Sequence, residues 1–346
     1  MNKFFIAAAL AAAGGVVRVL PGLGERKRRV EETVPVEMRT PLLYLSLPTT
    51  SDKAVRRIRR LPLDALTRMP DGVVKFVLNA KVAGRETLQV QMYTLGKRAR
   101  PSPCVLWIHG GGYVIGSAAM SQSTGGVVAR ELGVLVVSPE YRLAPEHPFP
   151  AALEDCYTAL KWIHDNAEQI NVDPGRIAIA GESAGGGLAA ALAQLAHDRG
   201  EVPIQFQLLV SPMLDDRTVL REMHHGTGEF VWTPDKNEYG WTAYLGQRPQ
   251  VHSAPEYAAA ARREDLSGLP PAWIGVGDLD LFYAEDLEYA RRLEAAGVDV
   301  EVHVVPGMPH AVDTMVKDSP AVDAFNQSKV EALRRALLPA EATTDG

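Results

Sequence analysis

The pentapeptide Gly181-Glu182-Ser183-Ala184-Gly185 sets one serine between glycines two residues to either side. It lies where the apolar run "RIAIA" gives way to the small-residue run "GGLAAAL". This pattern suits a strand that turns sharply into a helix, with the serine on the corner. The glycines would let strand and helix approach without side-chain collision. The helix would aim its first N–H groups at the corner, where negative charge could develop. Nucleophilic attack is the chemistry such a corner could do. A serine hydroxyl then needs an imidazole to take its proton and a carboxylate to hold that imidazole.

His109-Gly110-Gly111-Gly112-Tyr113 follows the buried-looking run "CVLWI". Three glycines in a row leave backbone N–H groups unshielded, as a hole for an oxyanion requires. A phosphate loop is the other reading, but G-x-x-x-x-G-K-[ST] is absent, as is a G-x-G-x-x-G with an acidic residue at dinucleotide spacing. His109 itself reads as a residue that fixes the loop by hydrogen bonding. For the base, nine histidines compete. His224, His225 and His252 lie in a long insertion, His147 in a Pro-rich loop, and His164 and His197 on helix surfaces. His310, in "VVPGMPHAVD", follows the last strand and a Pro/Gly turn, on the sheet edge that carries the serine corner. For the acid, "GVGDLDLFYAED" offers Asp278, Asp280, Glu285 and Asp286; Asp280 is the choice and Asp278 the alternative.

These residues need a scaffold. After Pro103 the strand candidates are continuous apolar runs, "CVLWIHG", "GVLVVSPEY", "RIAIAGES", "FQLLVSP" and "PAWIGVGD". Such runs are buried on both faces, as in a parallel sheet. Helical patterns lie between them at about 125–132, 151–166, 185–198 and 285–296, so the fold class is α/β. "VEVHVVPG" adds a strand, and a last helix spans about 321–337. Upstream, "VVKFVLNAKVAG" and "TLQVQMYTLG" alternate as half-buried antiparallel strands do. Residues 1–70 read as helical and irregular, with Val55, Ile58, Leu61 and Leu63 near helical spacing and Pro62 breaking or restarting the helix. The expected organisation is an N-terminal helical segment over 1–70, a catalytic domain over 71–338 and a tail over 339–346. The domain would carry an insertion at about 215–262, rich in His, Trp and Tyr and too long for a plain connection. Insertion and N-terminal helices together could form a lid.

Composition narrows the function classes. A net charge of −6 offers no basic surface for nucleic acid. Two cysteines, Cys104 and Cys156, make no disulfide framework and read as buried free thiols, and without a Cys/His cluster a structural zinc site is not expected. The apolar run Phe4–Val17 resembles a short signal peptide but is too short to span a membrane comfortably, and the basic residues behind it oppose export. An Ala-rich helix lying on the domain is the favoured reading. It favours a cytoplasmic location and leaves export or membrane association open.

Taken together, "HGGGY" at 109–113, "YRLAPEHPFPAALED" at 141–155, "GESAGG" at 181–186, "GDLDLFYAED" at 277–286 and "PGMPHAV" at 306–312 resemble the hormone-sensitive-lipase-like (family IV) bacterial esterases of the α/β-hydrolase superfamily. The order Ser183, Asp280, His310 is theirs too. The resemblance covers roughly residues 75–338. It implies the α/β-hydrolase fold: a mostly parallel eight-stranded sheet flanked by helices, with a helical cap drawn from the N-terminus and from an insertion after strand six. It implies Ser183 as nucleophile, His310 as general base, Asp280 as orienting acid, and the backbone N–H groups of Gly111, Gly112 and Ala184 as oxyanion hole. The implied activity is serine carboxylesterase, on small-molecule esters with short to medium acyl chains, with no metal or organic cofactor. A homodimer through the last strand edge is implied as well. Phe230, Val231, Trp232 and Tyr239 are the candidate substrate-binding residues, with packing inside the cap as their other reading. The chain departs from the family in Glu182, where Asp is more common, in "DLF" for Asp-Pro-Leu, and in Ala311 for glycine. Two other functions stay open: a receptor-like, non-hydrolytic ligand binder, as in plant gibberellin receptors, and amide, lactone or carbamate hydrolysis on the same triad.

Overall fold

Odd and even residues of the central strands feed two separate cores, which makes the sheet the middle of three layers. In a computed structural model the described residues are 23–44, 49–62 and 67–338. The expected Ala-rich helix before residue 23, Leu63 and the tail over 339–346 lie outside them. Eight strands form one sheet: β1 (Val73–Ala80), β2 (Leu88–Leu95), β3 (Ser102–Ile108), β4 (Leu135–Pro139), β5 (Val172–Glu182), β6 (Phe206–Val210), β7 (Ala272–Gly277) and β8 (Val300–Val305). Their order is β1-β2-β4-β3-β5-β6-β7-β8. Pairing is antiparallel for β1/β2 and β2/β4 and parallel from β4 to β8.

The helices are α1 (Leu23–Thr33), α2 (Asp52–Ile58), α3 (Thr124–Leu132), α4 (Ala151–Asp165), α5 (Ala184–Arg199), α6 (Pro234–Leu245), α7 (Tyr283–Ala295), α8 (Val312–Met315) and α9 (Pro320–Leu337). Cys104, Leu106, Ile108, Ile177 and Ile179 pack with Leu153, Leu160, Leu188 and Leu192 of α4 and α5. Val105, Trp107, Ala178 and Ala180 pack on the other face with Val128 of α3 and Phe325 and Leu333 of α9. The period-2 alternation of a strand thus serves two apolar faces, which is why these strands read as unbroken apolar runs. Cys104 and Cys156 are both buried and free.

One strand departs from expectation. β1 is not half-buried: Val74, Phe76, Val77 and Leu78 are all exposed, and only its ends, Val73 and Ala80, are buried. Among the described residues it pairs with β2 alone, as the end strand of the sheet, and apolar residues on both of its faces are left uncovered there. Among the described residues, no helix is long and apolar enough to cross a membrane.

Candidate active site

The parallel strands bring their carboxyl ends to one edge, where open α/β sheets bind ligands. Ser183 caps β5, the His109 loop follows β3, Asp280 follows β7 and His310 follows β8.

Ser183 has φ 56° and ψ −122°, a conformation that a non-glycine residue holds only under surrounding constraint. Its N–H donates to Val210 O at 2.8 Å, and its carbonyl accepts from Gly187 N and Met213 N, each at 3.0 Å. The flanking glycines are steric requirements. A Cβ on Gly181 would lie 2.1 Å from Gly185 O, and one on Gly185 would lie 2.2 Å from Ile108 O. α5 begins at Ala184, so its unpaired N–H groups face the corner.

His310 Nε2 stands 2.9 Å from Ser183 Oγ. His310 Nδ1 stands 2.7 Å from Asp280 Oδ2. Asp280 is fully buried, and its Oδ1 accepts from Phe282 N at 3.0 Å. The Phe282 ring meets the imidazole edge-on at 5.3 Å. A carboxylate on Nδ1 keeps the proton there and leaves the Nε2 lone pair for the serine hydroxyl. Asp278 is used elsewhere: its Oδ1 accepts from Gly307 N at 2.6 Å, in the turn leading to His310. Glu285 accepts from Leu214 N, Asp215 N and the Thr218 hydroxyl, and burial raises its carboxyl to about 8. The remaining acid of this run, Asp286, is fully buried, and burial holds its carboxyl well above the usual range.

Gly111 (φ 128°) and Gly112 (φ 58°) form a loop that no larger residue could trace, since a Cβ on Gly111 would lie 2.0 Å from Ile115 O. His109 shapes this loop from below. Its ring stacks on Tyr141 at 4.1 Å, its Nδ1 lies 2.8 Å from Gly110 O, and the Tyr141 hydroxyl donates to His109 O. Burial drops its pKa to about 4, so it stays neutral there at physiological pH. Arg59, just past α2, donates to Val114 O at 2.7 Å and to Ala144 O, pinning the far side of the loop.

Of the four pocket candidates, Trp232 is brought to the site. Its six-membered ring presses on Gly112, where an added Cβ would lie 2.1 Å from Cη2, and its ring centre is 6.4 Å from that of His310. Phe230 is buried in the core on the α3 and α9 face, with the Arg26 guanidinium 5.6 Å from its ring centre. The Tyr239 hydroxyl donates to Asp52 of α2 at 2.8 Å. Val231 has φ 58°, a conformation that costs a β-branched residue about 1–3 kcal/mol.

Two charged residues unforeseen in the sequence stand behind the serine. Lys329 of α9 pairs with Asp313 of α8 at 2.8 Å, both buried, and so anchors the helix that follows His310. Lys329 shares a stripe with Val322, Phe325 and Leu333, and a lysine amid an apolar helical face is the signal that could have found it. Both act on Glu182, whose Oε1 is buried without a hydrogen-bond partner although the residue keeps a partly exposed edge. Burial raises the Glu182 carboxyl to about 7; Lys329 opposes the rise and Asp313 adds to it. Between the ordinary value of 4.5 and about 7, the folded chain holds a proton that the unfolded chain has released. Stability therefore falls as pH rises through that window, by up to about 1.4 kcal/mol per pH unit. Glu182→Gln should remove this slope. Melting curves at pH 5 and pH 8 should show the variant gaining on the wild type at pH 8, and an equal difference at both pH values would contradict the assignment.

Among the described residues, no group of three or more His, Cys, Asp and Glu is placed to hold a metal ion.

A sequence profile described as alpha/beta hydrolase fold matches residues 105–314. The chain is 37% identical over 237 residues to Esterase LipI of Mycobacterium tuberculosis, covering 68% of this chain and 73% of that protein. It is 37% identical over 236 residues to Carboxylesterase NlhH of the same species, covering 68% and 74%. Among solved structures, a bacterial heroin esterase superposes with a TM-score of 0.79 at 37% identity, over 88% of this chain and 98% of that one. Esterase LipW from Mycobacterium marinum gives 0.77 at 32% identity, over 89% and 97%. With the sheet order, the serine corner and this shared sequence in hand, the chain belongs to the hormone-sensitive-lipase-like esterases of the α/β-hydrolase fold.

Proposed function

We propose that this protein hydrolyses carboxylic esters with short to medium acyl chains through an acyl-enzyme on Ser183. The observation that carries this reading is the unbroken hydrogen-bond path from Asp280 Oδ2 through His310 to Ser183 Oγ, 2.7 and 2.9 Å long. His310 Nε2 takes the hydroxyl proton as Oγ attacks the ester carbonyl. The oxyanion faces the N–H groups of Gly111, Gly112 and Ala184. The proton then passes from Nε2 to the leaving alcohol. Water attacks the acyl-enzyme with His310 again as base, and the acid departs from Ser183. Asp280 holds the imidazole in one orientation and stabilises its charged form. Each step is served by side chains and backbone amides of this chain.

The N-terminal helices and the insertion over 215–262 act in this reading as a cap. Arg29 pairs with Glu229, Tyr239 reaches Asp52, and Arg59 ties α2 to the glycine loop. A homodimer through the unpaired edge of β8 belongs to the same proposal, with Val302 exposed there.

Purified protein should turn over p-nitrophenyl acetate and be labelled stoichiometrically by a fluorophosphonate, with loss of that turnover. Absence of both label and turnover would overturn the esterase reading in favour of a ligand-binding role.

A further inference from the structure

We propose that the turn at 230–232 is the specificity element of this site. In it Lys236 and Asn237 act as positioning residues that hold Trp232 as a wall, confining the acyl side of the ester to small groups. The proposal rests on the esterase reading above and refines its substrate class.

The turn is an unusual object. Trp232 N donates to Phe230 O at 2.7 Å, closing a three-residue turn around Val231, whose φ is 58°. γ-Turns with positive φ at the centre are strained, and a β-branched residue suits them poorly. Such a turn persists only where its surroundings over-determine it. The surroundings here are specific. The buried Lys236 amine donates to Val231 O at 2.6 Å. Burial lowers its pKa to about 8, and the amine donates a hydrogen bond whether charged or neutral. Asn237, also buried, accepts from Trp232 Nε1 at 3.2 Å. Phe230 anchors the upstream side beneath Arg26, and Arg29 holds the neighbouring Glu229.

The result is a fixed indole. It touches Gly112, and its ring centre lies 6.4 Å from that of His310. Since His310 must reach the leaving alcohol, the space beside the imidazole belongs to the alcohol, and the wall at Gly112 narrows the acyl side. α6 closes in from behind: a Cβ on Gly240 would lie 2.9 Å from Gly112 O and 3.4 Å from Trp232 Cζ2, so the ring has little room to retreat.

The test is kcat/KM for p-nitrophenyl acetate, butyrate and octanoate in wild type, Trp232→Ala and Lys236→Met. The octanoate-to-acetate ratio cancels any loss of folded protein. Wild type should disfavour octanoate. Trp232→Ala should raise the ratio by about 100-fold, the scale of several methylenes gaining a pocket. Lys236→Met, which keeps the indole but frees the turn that fixes its position, should raise it by about tenfold. A ratio unchanged in both variants, with acetate still hydrolysed, would overturn this proposal and leave the esterase reading intact. Loss of hydrolysis in the wild type itself would strike that reading instead.

Discussion

Ser183→Ala should lower kcat/KM for p-nitrophenyl acetate by about 10⁶, to the residue of catalysis that substrate binding and the glycine loop sustain alone. The size of the effect follows from the geometry. Ser183 Oγ lies at hydrogen-bond distance from His310 Nε2, at 2.9 Å, and the corner is built around it. The main chain at 183 is held by Val210 O, Gly187 N and Met213 N, none of which involves the hydroxyl. Alanine keeps the Cβ and those bonds, so the variant should fold and melt close to wild type. A rate within about tenfold of wild type would mean that another group does the chemistry.

Asp280→Asn should cost about 10⁴ in kcat, because an amide on His310 Nδ1 favours the tautomer that turns a proton toward Ser183. Asp278→Asn should cost less than about tenfold, since an amide oxygen can still accept from Gly307 N as the carboxylate does. Steady-state rates of the two variants separate two acids that are two residues apart in the chain. Equal losses, or a larger one at position 278, would contradict the assignment of Asp280.

Much of this arrangement is legible in the chain, for reasons particular to each part. The strands from β3 to β7 announce themselves because both faces pack into apolar cores, so neighbouring positions such as 104–108 and 177–180 are apolar alike. The corner at Ser183 is legible because its backbone path admits only glycine at 181 and 185. The choice of His310 follows from its place after the last strand, a matter of topology. The pocket resists such reading. Phe230, Val231, Trp232 and Tyr239 are all apolar or aromatic residues in one insertion, and no periodicity says which faces the site. That is decided by a positive φ at Val231, against the preference of a β-branched residue, and by Lys236, whose amine is spent on a backbone carbonyl. β1 misleads in the opposite direction. Its apolar residues suggest a buried face, yet its place at the edge of the sheet exposes Phe76 and Val77 alike. Ala311 is a smaller case: it adopts φ 60° directly after His310, a conformation glycine would hold without cost.

Glu182 gains a setting from the fold. It is tied electrostatically to Lys329 and Asp313, the pair that anchors α8 behind His310. Ser183 and His310 are thus backed by one cluster of charge.

The central claim is a covalent acyl-enzyme on Ser183. Acid quench during steady turnover of p-nitrophenyl butyrate, followed by mass spectrometry of the peptide bearing residue 183, tests it most directly. A butyryl group on Ser183, absent from the Ser183→Ala variant, is the predicted result. Turnover with an unmodified Ser183 peptide, or with the acyl group on another residue, would contradict the account.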